Sequence, residues 1–254
     1  MRVSRLSIAP VKGLGLVHPD VVVLGRAGVR NDRRFYLVDP DGRLVNNKTC
    51  GELMQVHPEV SHEADRLALR FPGGATVVDD VVLGAPVETS FYGRPVAGRL
   101  VEGPWSQALS EHAGRPLRLV CTDDQGAGID RTHAVTLISD GSLKALGRRA
   151  GVEDVDGRRF RMTIELEGCE EHEEDGWIGS EVDVGDARIH VAGPVGRCVV
   201  TTRNPDSGVS DLDTLGVLAG YRTLREGKSF GCGVCGDVLV EGTVRVGDSL
   251  RRGR

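Results

Sequence analysis

Residues 35–47 read FYLVDPDGRLVNN, and this stretch decides the class of the fold. Two apolar runs, Phe35–Val38 and Leu44-Val45, flank a short turn. Asp41-Gly42 is expected to supply its φ > 0 positions, the signature of a β-hairpin. Working outward, the same punctuation recurs. VSRLSIAPV at 3–11 alternates apolar and polar residues with the period of a half-buried strand. VVVLG (21–25), RLALRF (66–71), ATVVDDVVL (75–83) and PVETSFYG (86–93) are strand-like runs separated by Gly- and Pro-bearing turns. Strands this closely spaced predict an antiparallel barrel or sandwich.

The pattern changes near residue 104. PWSQALSEHAG has apolar residues at helical spacing and a terminal Gly114, which predicts a short helix. A second helix is expected from Asp140 or Gly141, with Leu143, Leu146 and Ala150 on one face. LDTLGVLAGYR (212–222) predicts a third. Between and after them come strands at PLRLVCT, FRMTIEL, ARIHVAG and CVVTT, a Gly-rich loop KSFGCGVCG, and a last strand DVLVEGTVRVGDSL. The acidic run Glu170–Asp175 reads as a solvated loop. No repeats and no long linker are evident.

Composition narrows the function. The 254 residues are 39% hydrophobic and 27% charged, ordinary for a soluble protein with its own core. Aromatics are only 4%, so Val, Leu, Ile and Ala must fill that core. A net charge of −5 argues against a general nucleic-acid binder. All but four of the 32 basic residues are arginine, the better fork for phosphate. No apolar run approaches the ~20 residues that span a bilayer, and no signal peptide is recognisable. No membrane association and a cytoplasmic setting are therefore expected, in which the six cysteines are thiols or ligands rather than disulfides.

Three sets of residues could carry chemistry. Cys198 lies in GPVGRCVVTTRNPDSG, directly after Arg197, and an adjacent guanidinium favours the thiolate that binds metal or attacks electrophiles. The bland alternative is a small core hydrophobe. Cys232-Gly-Val-Cys235 could chelate zinc or cycle as a dithiol, but a second ligand pair is missing, so two small residues in a tight loop is the simpler reading. Lys12, Arg33, Arg34, Arg161 and Arg197 lie at strand ends, where ligands sit on β scaffolds. No Walker loop, dinucleotide fingerprint, HExxH or nucleophile elbow occurs.

The order IAPVKG, NDRRFYLVDPDG, LISDGSLKAL, RRFRMTI, EEDGWIG, GRCVVTTRNPDSG and GTVRVGDSL resembles the molybdenum cofactor sulfurase C-terminal (MOSC) superfamily, with its N-terminal barrel extension, and within it the amidoxime-reducing branch. The likeness covers nearly the whole chain and is poor at roughly 50–100. It implies a mainly β fold with a few short helices (α+β), an antiparallel barrel-like domain over 1–100 and a MOSC β-barrel over 101–254, with which the first strands of the chain may be shared. It implies the molybdenum cofactor, a pyridoxal phosphate-free site and Cys198 as the metal's thiolate ligand. Lys12, Gly13, Arg33, Arg34, Thr132, His133, Arg161, Thr163 and Arg197 fall at or beside cofactor-contacting positions. Soft metal with thiolate, and anionic cofactor with arginines, are chemically apt pairings.

The chain departs from the family pattern at Gly13, Thr163, NNKTCGEL (46–53) and Gly233. The implied activity is reduction of an N-oxygenated small molecule, with electrons from an external redox partner because the chain has no flavin, haem or iron–sulfur motif of its own. Two other readings stand beside it: a sulfur carrier using Cys198 or Cys232/Cys235, and a cofactor-binding barrel without catalysis.

Overall fold

The computed structural model describes residues 1–122, 133–225 and 229–253. The fold is mainly β, with three α-helices among the described residues: α1 (Trp105–Ala113), α2 (Asp140–Ala150) and α3 (Thr214–Ala219). The strand at Phe35–Val38 pairs with Leu44–Val45 through the expected hairpin, although only Gly42 of the turn has positive φ, at 77°. The Asp39 carboxylate accepts from the Asp41 and Arg43 amides at 3.0 and 2.9 Å and holds the turn. This hairpin is one end of a five-stranded antiparallel sheet that continues through Arg118–Thr122, Arg94–Glu102 and Val82–Phe91. Phe35, Leu37, Leu53, Leu69, Trp105 and Leu119 fill its core.

A larger, eight-stranded sheet runs Arg2–Leu6, Ile164–Glu167, Val135–Ser139, Ser229–Val240, Ala187–Gly196, Glu181–Val184, Leu250–Arg252, with Leu224–Arg225 paired off that path. Its two ends meet. Arg2 bridges Ser249, and the Val3 amide donates to the Asp248 carbonyl at 2.8 Å. The sheet therefore closes almost completely into a barrel, which removes the exposed edges an open sheet would carry. Leu137, Ile164, Val182, Ile189, Val234 and Trp177 pack inside it. Val135–Ser139 and Ile164–Glu167 are the parallel pair, joined by α2 as a crossover helix.

The helix signals were local and the helices follow them. Gly114 and Gly151 close α1 and α2 in the left-handed conformation, at φ 63° and 70°. Ser139 caps α2 by accepting from the Ser142 amide at 3.0 Å.

Four expectations are corrected. The acidic run is not simply solvated: Glu174 is 0% exposed, its carboxylate accepting from the Ser139 and Ser142 hydroxyls at 2.5 Å each. CVVTT is no strand, because the Thr201 amide and hydroxyl bond back to the Cys198 carbonyl and wind Val199–Thr202 into a 3-10 turn. SFGCGVCG (229–236) is not a loop, since Ser229–Val240 is one long strand, and Lys228 of the expected loop lies outside the described residues. The terminal stretch is divided among that strand, Gly242–Arg245 and Leu250–Arg252. Glycine is required here by close approach rather than by a turn. A Cβ on Gly233, which has φ 73°, would stand 2.7 Å from the Leu137 carbonyl oxygen and 2.8 Å from Met162 Cε.

Candidate functional site

Where the barrel faces the five-stranded sheet, six of the expected residues converge. Lys12, Gly13, Arg33, Arg161, Arg197 and Cys198 line one cavity of about 280 Å³. They arrive from four separate stretches of the chain. Lys12 and Gly13 follow a bridge from Val11 to Phe35. Gly13, at φ 94°, lets the backbone pass Asn46, whose Cα would be 3.0 Å from a Cβ there. Arg33 and Arg161 are held in the left-handed region, at φ 60° and 52°, which bulky side chains adopt only at some cost. Arg33 pairs with the buried Asp32, whose Oδ1 accepts from the Ala9 amide at 2.7 Å.

Cys198 sits two residues beyond the strand Ala187–Gly196, half-buried, with extended backbone. Arg197 before it is buried. Its guanidinium donates through Nε to the Cys232 carbonyl at 2.7 Å and through Nη1 to the Phe160 carbonyl at 3.0 Å, while Nη2 contacts Met162 Sδ and Cys232 O. It lies 5.1 Å from the Phe160 ring centroid. Burial holds its pKa below the ordinary arginine value. No carboxylate lies within ion-pair distance of it among the described residues, and its direct partners are main-chain carbonyls and Met162 Sδ.

The cavity's electrostatics are one-signed. Lys12, Arg33, Lys48, Arg159, Arg161 and Arg197 line it, and among the described residues no Asp or Glu does, although Asp32 and Asp211 pair with Arg33 and Arg159 from behind the wall. Such a surface attracts an anion. It also presents a donor without an acceptor. Asn47, 6% exposed, has its Nδ2 buried with no hydrogen-bond partner, an arrangement that costs free energy unless a ligand or water completes it. The Arg159 Nε is similarly orphaned, although Nη1 reaches Asp211 Oδ1 at 2.7 Å.

Asn46, Asn47, Lys48, Tyr92 and Arg159 were not anticipated as lining residues. Arg159 lies inside the RRFRM landmark, and Asn46 and Asn47 end the hairpin that decided the fold. Adjacency was therefore the available signal. Three expected residues lie elsewhere. Arg34 donates to the Thr122 carbonyl at 2.7 Å. His133 Nδ1 is 3.0 Å from Asp237 Oδ1. Thr163 is fully buried, its amide donating to Thr136 Oγ1 at 2.9 Å, and it ties two barrel strands together. Thr132 lies outside the described residues.

The other cysteines are differently placed. Cys232 is fully buried, and burial pushes its thiol up to about 11. The Cys235 thiol points to the Gly193 carbonyl at 3.3 Å. Among the described residues no group of three or more His, Cys, Asp or Glu is placed to hold a metal ion. No helix among them is long and apolar enough to cross a membrane.

The sequence profile of the MOSC domain matches residues 110–251, and that of the MOSC N-terminal beta barrel domain matches residues 1–91. The chain is similar to the mitochondrial amidoxime-reducing component 1 of Homo sapiens, at 27% identity over 98% of this chain and 82% of that protein. It is 27% identical to the mitochondrial amidoxime reducing component 2 of Bos taurus, over 87% of this chain and 72% of that one. Similarity to the molybdenum cofactor sulfurase of Drosophila grimshawi, also 27% identical, covers 85% of this chain but only 30% of the relative.

Proposed function

Because the chain belongs to the MOSC domain family, with a MOSC N-terminal barrel domain preceding, we propose that the Cys198 cavity seats a molybdenum cofactor and that the protein reduces N-oxygenated small molecules there. The observation that carries this reading is the cavity itself: one half-buried thiol on a wall of six cationic side chains, with no carboxylate lining it among the described residues.

The donor set fits such a group. An anionic pterin with a phosphate needs cations and amide donors, and a soft metal needs a thiolate. Cys198 would ligate the metal. Lys12, Arg33 and Arg161 would meet anionic oxygens, the backbone at Gly13 allows close approach, and the orphaned Asn47 Nδ2 would gain an acceptor. Arg197 would act differently. Its donors are committed to Cys232 and Phe160, so it contributes a fixed positive charge to the wall beside Cys198 rather than a free fork.

When bound, the cofactor would supply two-electron removal of oxygen from nitrogen, so that an amidoxime plus two electrons and two protons leaves as amidine and water. The electrons would come from an external redox protein. The protein's own residues hold the cofactor, keep the wall positive and shape the cavity.

Sulfur transfer through Cys198 is the second reading, motivated by the sulfurase relative. Metal analysis of protein purified from a host that makes the cofactor, wild type beside Cys198→Ser, separates the two. Near-stoichiometric molybdenum in the wild type and little in the variant is expected, because a hydroxyl is a harder and less acidic ligand. No molybdenum in either, with persulfide on Cys198, would replace the reductase reading with the sulfur one.

A further inference from the structure

We propose that the groove outside the Cys198 cavity docks the planar, conjugated part of the substrate, with Tyr92 as the face it stacks on and Lys48 as the movable partition. The inference rests on the reductase reading above and names its substrate class. The groove encloses about 590 Å³ and shares Asn46, Lys48 and Tyr92 with the inner cavity. Lys48 Nζ stands 4.6 Å from the Tyr92 ring centroid, so the two side chains that separate the spaces touch each other.

The backbone beneath Tyr92 is the second observation. Strands Val82–Phe91 and Arg94–Glu102 are joined by the two-residue loop Tyr92-Gly93, with φ of 51° and 87°. Positive φ at both central positions is the type I′ pattern, which prefers Asn-Gly. A tyrosine there is strained, and such outliers point to function when the surroundings hold them. The surroundings do. Phe91 is buried edge-to-face on Tyr36, with centroids 4.9 Å apart. Its ring also lies 5.9 Å from Lys12 Nζ. Two successive aromatic residues thus face the two lysines of the inner cavity. Tyr92 nevertheless remains 60% exposed as a residue.

Charge divides the two spaces. Among the described residues the inner cavity is lined by cations and no carboxylate, whereas the groove sets Asp41 and Glu88 against Arg43 and Lys48. Anionic groups are drawn inward, and an uncharged ring is left to the groove. A cation–π contact at an exposed site is weak, and lysine has a flexible stem, so an incoming ring can displace Lys48 from Tyr92.

Benzamidoxime and acetamidoxime carry the same reducible group and differ by the ring. With a reduced viologen dye as electron source, the ratio of their kcat/KM values should fall about five- to tenfold in Tyr92→Asn. Tyr92→Phe should keep the ratio. Tyr92→Asn should melt no lower than wild type, because asparagine suits the turn, so a reduced ratio would not reflect a damaged fold. An unchanged ratio in Tyr92→Asn would overturn the subsite. If the wild type turns over neither compound, the reductase reading fails, and saturation-transfer NMR of benzamidoxime with the same proteins decides the subsite. A ring-proton signal present with wild type and abolished in Tyr92→Asn upholds it; equal binding, or none, overturns it.

Discussion

Arg197 donates from Nε to the main-chain carbonyl of Cys232, 2.7 Å away, in the strand Ser229–Val240. The register between this strand and Ala187–Gly196 shifts between Pro194 and Gly196, beside the positive-φ Gly233. Near this irregularity the Cys232 carbonyl serves the side chain just beyond the end of the neighbouring strand. The residue before the candidate ligand is thus clamped beside an imperfection in the barrel wall.

Removing that clamp should be expensive. Arg197→Met leaves the Cys232 and Phe160 carbonyls without their donors, a loss of about 3 kcal/mol. For a chain of this size that lowers Tm by roughly 6–12 °C. Arg197→Lys should recover only part, because one ammonium cannot reproduce the planar fork. Thermal melts of the three proteins check it, and a wild-type Tm for Arg197→Met would refute the bracing role.

Arg161 and Asn47 should matter for cofactor retention, with Arg161 also bracing the Leu14 carbonyl, to which its Nη2 donates at 2.8 Å. Arg161→Ala removes a charge-assisted contact of ~1.5–3 kcal/mol, and Asn47→Ala removes the unaccepted donor. Molybdenum per protein after gel filtration should fall about tenfold or more for Arg161→Ala and less for Asn47→Ala. Unchanged occupancy in both would separate this wall from the cofactor.

Glu174 should prove to be a structural acid. Glu174→Ala leaves the Ser139 hydroxyl and amide, at the cap of α2, without their acceptor, while the Ser142 hydroxyl keeps His172 Nδ1, a cost on the order of 3 kcal/mol. Glu174→Gln, which keeps one carbonyl acceptor, should cost less. Denaturant melts that rank the two variants the other way would show that these donors are not what the carboxylate serves.

Stability should decline as the pH falls toward about 5.5. Burial holds the pKa of His18 and His172 below the ordinary value of about 6.5, with Arg5 and Arg158 near His18 and Arg222 near His172 acting in the same direction. A depressed folded pKa means that the unfolded chain binds more protons. The contribution is complete above about 6.5 and is lost as the pH drops through the folded values. Half-buried Glu165, which partial burial raises above the usual carboxylate pKa, offsets some of this, since its own contribution is present below about 4.5 and is lost as the pH rises through its folded value. Tm measured from about pH 7.5 to 5.5 should fall in the wild type and flatten in a His18→Gln, His172→Gln double variant. Equal slopes would exclude these two imidazoles.

Local physics was legible from residues alone. The hairpin at 35–47, helix α1 with its Gly114 stop and helix α2 with its start at Asp140 all depend on turn residues, caps and periodicity within a few positions. Landmark order was enough to indicate the family and to bring Lys12, Gly13, Arg33, Arg161, Arg197 and Cys198 forward. Residues whose partners lie far along the chain were not legible. The alternation of Arg2–Leu6 identifies a strand, but not that it pairs with Ile164–Glu167 and closes the barrel at Ser249.

Cys232 and Cys235 looked like loop residues because glycine marks turns in sequence, whereas here it permits two strands to pack closely. Arg34, His133 and Thr163 sit beside the right landmarks yet bond to Thr122, Asp237 and Thr136. Asn47 and Tyr92 belong to a stretch without helpful resemblance, and their place on the cavity wall exists only once the five-stranded sheet meets the barrel. Sequence by itself determined the β class, the helices and the family, because those follow from short-range conformational preference and motif order. Which side chains face the cavity was decided only by tertiary structure, because strand pairing and close backbone approach are satisfied between residues far apart in the chain.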